Sequence, residues 1–190
     1  MTQEIIPPAT LLEAYSQGIF PMAEEGRIVW YSPQLRGIIP LDERFHIPCG
    51  LRRKLRKNPF EVRFNTSFRE VMLGCADRNE TWIDEVILES YCKLHDLGHA
   101  VSVECWDQEG LQGGLYGVLI GKAFFGESMF SRKDDASKIA LVALVDRLRK
   151  NEFHLLDTQW MTDHLRSFGG IELSRESYLK MIQDAVSSVF

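Results

Sequence analysis

Asp157 and Gln159 stand two residues apart in a stretch, Phe153–His154–Leu155–Leu156–Asp157–Thr158–Gln159, that reads as a strand. Residues i and i+2 of a strand point to one side, so the spacing puts a carboxylate and a carboxamide on a single face. The carboxylate can accept a hydrogen bond or hold positive charge, whereas the amide is no base at neutral pH and suits a positioning role. Glu127 is a second conspicuous acid, set inside Phe124–Phe125–Gly126–Glu127–Ser128–Met129–Phe130, where a charge is costly unless it is paired. Leu51 to Lys57 carries five cations and no acid: Arg52, Arg53, Lys54, Arg56 and Lys57. Such a run suits salt-dependent, sequence-blind contacts to phosphates, and equally suits a solvated helix face. His95 and His99 are four apart, but Gly98 interrupts the helix between them and no third ligand is evident, so no metal site is expected. Cys49, Cys75, Cys92 and Cys105 form no C-x-x-C pair and read as free thiols that fill space.

Several elements must position these groups. Thr10 and Glu13 form a capping-box pattern, with Gly18 able to end the short helix that follows. Short strands are expected at 28–31 and 37–39, a basic helix at about 49–57 and an alternating strand at 60–64. Ser67 and Glu70 make a second capping box before a helix to about Ala76, and another helix runs from about Asp84 to Leu97, with Gly98 as its C′ residue. Strands follow at 100–106, 111–120 and 123–130. A long helix covers 135–150 and is apolar on most of its circumference, as buried helices are. A strand at 153–159 and a last helix from Ser174 to about Ser188 complete the chain.

Three hairpin-connected strands should be antiparallel, and the crossover helix should return a fourth strand parallel to the third. This α+β order is the layout of the GNAT-like acyl-CoA N-acyltransferase fold: a mixed, mostly antiparallel sheet flanked by helices. Taken alone the layout fixes no function. A coenzyme A pyrophosphate would need a glycine-rich turn before the long helix. The corresponding stretch, Ser131 to Ser137, has no glycine and carries Asp134 and Asp135, so no cofactor is expected. The glycine-rich run Gly113–Gly114–Leu115–Tyr116–Gly117 lies within a strand, where close backbone approach or a bulge is the ordinary reason for glycine.

Composition bounds the class. The 190 residues include 45% hydrophobic and 26% charged residues, with a net charge of −5. That is enough chain to bury a core without staples, and it argues against unspecific coating of nucleic acid. No apolar run approaches the length of a membrane span, about 18 residues, and the start lacks the pattern of a secretory signal. A cytoplasmic monomer with no membrane association is expected.

A set of motifs then resembles one family. The set comprises Gly18–Ile19–Phe20–Pro21, Trp30-x-Ser32–Pro33, Thr81–Trp82–Ile83 and Tyr91-x-x-Leu94–His95-x-Leu97–Gly98–His99–Ala100. It continues through Val103–Glu104-x-Trp106, Gly113–Gly114-x-Tyr116–Gly117, Phe124-x-Gly126–Glu127–Ser128–Met129–Phe130–Ser131 and Ala136–Ser137–Lys138. It ends with Asp157-x-Gln159 and Asp163–His164. In order, from about residue 10 to about 183, these resemble the leucyl/phenylalanyl-tRNA–protein transferases; the G-E-S-M-F-S block is the most specific.

The resemblance implies an aminoacyltransferase. It takes Leu or Phe from aminoacyl-tRNA (Leu-tRNA, Phe-tRNA) and joins it to the α-amino group of acceptor proteins with N-terminal Arg or Lys, marking them for N-end rule degradation. It implies a small N-terminal subdomain (1–34) and a GNAT-like catalytic domain (35–190). It places Asp157, Gln159 and Glu127 at the active site. Asp157 would accept a hydrogen bond from the incoming amine or briefly hold charge for it, and Gln159 would position amine or ester. Glu127 would meet either the donor's amino group or the acceptor's cationic side chain, and the sequence leaves that choice open. By position, Leu115, Phe124, Gly126, Met129, Leu144, Leu148 and Leu156 match the donor pocket, although their spacing is also that of core. The basic run, Trp30 and Trp82 are the matching candidates for tRNA contact, with stacking on a base worth about 1–3 kcal/mol.

Some positions depart from the family pattern. The segment ahead of the first helix is shorter than in the best-known members, and Met22 stands where Trp is common after Phe20–Pro21. Leu144 and Leu148 replace aromatic residues, and Thr162 replaces a common Asn. The smaller Leu side chains predict a wider pocket that favours Phe over Leu. Two other readings stay open: an acetyl-CoA-dependent N-acetyltransferase, and a non-catalytic relative that binds tRNA or degrons.

Overall fold

The computed structural model describes residues 4–187. The chain starts with α1 (Pro8–Ser16), followed by a hairpin of β1 (Phe20–Glu24) and β2 (Arg27–Tyr31). Next come β3 (Leu35–Ile38), α2 (Cys49–Leu55), β4 (Glu61–Phe64), α3 (Phe68–Ala76) and α4 (Glu85–Asp96). The run β5 (Ala100–Asp107), β6 (Gly110–Ile120), β7 (Ala123–Ser131), α5 (Ala136–Lys150) and β8 (Leu155–Gln159) follows, and α6 (Asp163–Arg166), β9 (Ile171–Ser174) and α7 (Arg175–Ser187) close it.

Seven strands form one sheet in the order β4-β5-β6-β7-β8-β3-β9, while β1 and β2 form a separate pair. The central hairpins are antiparallel and β8 runs parallel to β7, as the crossover through α5 requires. The result is a mixed α+β sheet, mostly antiparallel, with helices on both faces. One face packs α1, α3, α4 and α7 through Leu11, Tyr15, Val71, Ile87, Tyr91 and Ile182. The other packs α2 and α5 through Leu51, Ile139, Leu144, Val145 and Leu148. Gly113 and Gly117 stand at points of close approach in the sheet. A Cβ at Gly113 would stand 2.5 Å from the Ala136 side chain, and one at Gly117 would stand 2.3 Å from the Phe125 carbonyl oxygen.

Several expectations are corrected. The Thr10 capping box does not form, because α1 begins earlier, with Pro7 as N-cap and Pro8 at N1, where a missing N–H costs nothing. Ser67 does cap α3 by position, yet its side chain makes no cap bond; Glu104 accepts from the Ser67 and Thr66 N–H groups instead. The basic helix stops at Leu55 rather than Lys57. The strand expected from Phe153 starts at Leu155, and β1, α6 and β9 are additional elements. The expected end of the last helix at Ser188 lies outside the described residues.

Candidate active site

The parallel pairing of β7 and β8 runs only from Ala123↔Leu155 to Phe125↔Asp157, although β7 continues to Ser131. Beyond Phe125 the two strands part. At the same level the β6–β7 register shifts, with Tyr116 opposite Ser128 and Gly117 opposite Gly126. Glu127 is therefore the extra residue of a β-bulge, a device that re-aims side chains beside a gap in a sheet. The polar groups and the cavity described next meet in this opening.

Glu127 is 9% exposed and surrounded by donors. Its Oε1 accepts from Tyr15 Oη at 2.6 Å and from Gln159 Nε2 at 2.8 Å, and its Oε2 accepts from Tyr91 Oη at 3.4 Å. The Tyr15 and Tyr91 hydroxyls are also in contact with each other. Gln159 thus bridges the gap, from the end of β8 to the bulge of β7. Burial pushes the Glu127 carboxyl up to about 7, against the pull of the Tyr15 hydrogen bond; the negative charge of Asp157 pushes the same way and Arg36 opposes it. Burial and the nearby Glu127 raise the Tyr15 and Tyr91 hydroxyls well above their ordinary range, so both remain donors.

Asp157 belongs to a different cluster. It is fully buried, and Arg36 grips it through Nε at 2.9 Å from Oδ1 and Nη2 at 2.6 Å from Oδ2. Tyr178 Oη donates to Oδ2 at 2.7 Å, and the Gln159 N–H donates to Oδ1 at 2.8 Å. The guanidinium lies between the Phe20 and Tyr178 rings, 4.7 and 4.6 Å from their centroids, and Nη1 donates to the Gly18 carbonyl. With both oxygens engaged, Asp157 has no free acceptor for an amine. The shared face inferred from the two-residue spacing does not carry through to a shared target: Gln159 sits at φ +57, its amide reaches Glu127, and Asp157 holds the strand beneath it. Arg36, absent from the sequence-level candidates, left one signal: a lone cation in an otherwise apolar strand must find a partner if buried.

A cavity of about 90 Å³ opens between the parted strands and α5. Leu115, Gly126, Met129, Leu144 and Leu156, five of the residues expected at the donor pocket, line it together with Glu127. Phe124 and Leu148 do not reach it; they pack in the apolar cluster behind it. Leu141, Leu165 and Thr158 also line the wall and were not anticipated.

The proposed nucleic-acid contacts are dispersed. Met22 and Trp82 come together in an open groove with Val29, and the Trp82 carbonyl accepts from the Ala23 N–H. Trp30 pairs with Pro21, one register step from Met22, so strand alternation turns it to the opposite face of the hairpin, where it is 39% exposed. On α2, Lys54 bonds the Asp134 carbonyl and the Asp135 carboxylate, and Arg52 bonds the Ile47 carbonyl. Arg53, Arg56 and Lys57 lie exposed on the outer face. His95 stacks on Phe68 and bonds the Ala100 carbonyl oxygen, a structural role. Among the described residues no group of three or more His, Cys, Asp or Glu could hold a metal.

The model of the leucyl/phenylalanyl-tRNA protein transferase family matches residues 38–183, and the model of that family's N-terminal domain matches residues 5–34. The chain belongs to this family. A leucyl/phenylalanyl-tRNA–protein transferase of Akkermansia muciniphila is 58% identical over 186 residues, covering 95% of this chain and 96% of that one. One of Herpetosiphon aurantiacus is 51% identical over 181 residues, covering 95% of each chain. Among solved structures, L-PGS from Bacillus licheniformis superposes with a TM-score of 0.50 at 9% identity, over 88% of this chain and 66% of that one, a likeness of fold alone. Glu127 both accepts from Gln159 and lines the apolar cavity beside the parted strands.

Proposed function

We propose that the chain transfers Leu or Phe from the 3′ end of aminoacyl-tRNA to the α-amino group of a protein beginning with Arg or Lys, marking it for N-end rule degradation. The observation that carries this reading is the Glu127–Gln159 bridge beside an apolar cavity that Glu127 lines. The cavity takes an uncharged side chain of the donor, and the bridge stands where that residue's amino and carbonyl groups emerge. The same reading divides the chain into a small N-terminal unit at 1–34 and a GNAT-like catalytic unit at 35–190, with the parted parallel strands as the shared feature.

The chemistry is aminolysis of an ester. The acceptor's neutral amine attacks the carbonyl carbon, a C–N bond forms, the C–O bond to the ribose breaks, and the amine proton goes to the departing ribose oxygen. An α-amino group titrates near pH 8. A carboxyl at about 7 is matched to receive that proton and pass it on. Gln159 fixes the carboxylate, and Asp157 acts as a positioning residue through the Gln159 backbone. The start of α5 speaks against a coenzyme A reading: its N-cap residue Asp135 is itself an anion, bonded to Lys54 and Lys138.

The test supplies labelled Leu-tRNA and Phe-tRNA with peptides beginning in Arg, Lys, Asp or Ala. Label should enter the Arg and Lys peptides only, and Glu127→Gln should abolish it. Acetyl transfer from added acetyl-CoA to the same peptides with none from either tRNA, or no discrimination among the peptides, would overturn the reading.

A further inference from the structure

We propose that the hydroxyls of Tyr15 and Tyr91 form a chain onto one oxygen of Glu127, which leaves the other, Oε2, to take the acceptor's proton and return it. Tyr15 and Tyr91 are then positioning residues of the transfer. The inference rests on the aminoacyl-transfer reading and deepens it.

Tyr15 comes from α1 and Tyr91 from α4, and both are fully buried. Their rings meet edge-on at 6.5 Å, so packing holds both hydroxyls in place. Each phenol carries one proton and donates once. Tyr15 Oη lies 2.6 Å from Glu127 Oε1 and touches Tyr91 Oη. Its proton goes to the carboxylate, because a bond to a charged acceptor is the stronger one. The contact between the two phenols then needs the proton of Tyr91. The alternative acceptor for that proton, Glu127 Oε2, is 3.4 Å away, beyond the usual O–H···O range of about 2.5–3.0 Å. The chain therefore runs from Tyr91 to Tyr15 to Oε1. Gln159 Nε2 donates to the same Oε1 at 2.8 Å. Both close donors meet one oxygen of the carboxylate, and the other is left to act as base.

That asymmetry suits a group that must gain and lose a proton without rearranging. The acceptor's nitrogen loses its proton to Oε2 as the C–N bond forms, and Oε2–H gives it to the ribose oxygen as the C–O bond breaks. Between the two steps Oε2–H has an acceptor in Tyr91 Oη, which gives its own proton to the chain and keeps its lone pairs. The phenol protons stay on their oxygens throughout. Of the other ionisable groups facing Glu127, Asp157 and Arg36 are bound to each other, and the Tyr116 hydroxyl has no partner, so none of them enters the chain.

Tyr15→Phe and Tyr91→Phe keep the rings and delete one hydroxyl each. Glutamate isotope-labelled at its side-chain carboxyl carbon reports the titration of Glu127 by NMR, its signal being identified by its loss in Glu127→Gln. In wild type the midpoint should lie at about 7. Tyr15→Phe removes a donor that favours the ionised form. It should raise the midpoint by about one unit, and kcat/KM for Phe transfer to an Arg-initiated peptide should climb about one pH unit later. Tyr91→Phe leaves the Tyr15 bond in place and should move both by less than half as much. In wild type carrying fluorotyrosine, at least two of the five tyrosine fluorine signals should follow the Glu127 midpoint. An unmoved midpoint in Tyr15→Phe, or equal shifts in the two variants, overturns the chain. Should Tyr15→Phe fail to fold, tyrosine signals that ignore the Glu127 titration overturn it instead. A carboxyl midpoint that moves while the kcat/KM profile stays in place overturns Oε2 as the proton carrier. A wild-type protein with the expected titrations that transfers neither Leu nor Phe overturns the transferase reading and keeps the hydroxyl chain.

Discussion

Arg36 Nη2 lies 2.6 Å from Asp157 Oδ2 in an ion pair whose side chains are 1% and 0% exposed. The pair joins β3 to β8, which are antiparallel neighbours with a register shift between Gly37 and Ile38. Removing one member strands the other as a buried charge. Asp157→Ala should therefore lose about 3–5 kcal/mol of stability, whatever it does to turnover. The double variant Arg36→Met, Asp157→Leu should lose less than the sum of the two single changes. Urea unfolding of wild type, Asp157→Ala, Arg36→Met, Asp157→Leu and the double variant decides this, and an Asp157→Ala protein as stable as wild type would refute the account.

Glu127 gives a prediction in pH. Burial raises its carboxyl from 4.5 to about 7, so the folded protein favours the neutral form. The stability this contributes is fully present below pH 4.5 and is lost as pH rises through 7. At pH 8 the loss is about 3 kcal/mol relative to acid. Glu127→Gln, which does not titrate, should abolish that loss, so unfolding measured at pH 5 and pH 8 should show wild type weakening relative to the variant. In wild type, kcat/KM for transfer should climb through about pH 7.

Cavity size gives a prediction in donor choice. Leu144 lines a space of about 90 Å³. Leu144→Phe fills part of it and should shift the Phe-to-Leu transfer ratio toward Leu by about tenfold, within the range that a change of pocket volume supplies. Competition between the two charged tRNAs reads this directly; an unchanged ratio would show that Leu144 does not set donor size.

On α2 and just past its end the basic residues divide by partner. Replacing Arg53, Arg56 and Lys57 with Gln should lower the slope of log affinity for tRNA against log salt by about 2, at roughly 0.7–0.9 per phosphate contact. Lys54→Gln should behave differently, because Lys54 holds Asp135 at the start of α5. A slope unchanged by the triple substitution would move the acceptor stem away from this helix.

The central architecture was legible because local pattern and topology agree there. Alternating strands at 100–130, the apolar helix ending at Lys150 and the return strand forced the hairpins and the parallel crossover. The ends of the chain were less so. Nothing in Phe20–Glu24 announced a strand before β2 pairs with it, and Ile171–Ser174 is a strand only because β3 offers an edge. In the site, Glu127 betrayed itself as a charge in an apolar run. Asp157 was visible too, but its role was not: its partner Arg36 lies 121 residues away, and spacing on one strand cannot report contacts made by another. Phe124 and Leu148 show the same limit, since Leu spacing alone does not separate a pocket wall from the layer behind it.

The brace on β8 draws on both ends of the described chain: Arg36 is tied to Gly18, and Tyr178 of α7 closes on Asp157. A polypeptide made from its N-terminus reaches Tyr178 only after every strand of the sheet has been synthesised. A nascent chain that has not reached residue 178 therefore holds Asp157 by Arg36 without the Tyr178 hydrogen bond.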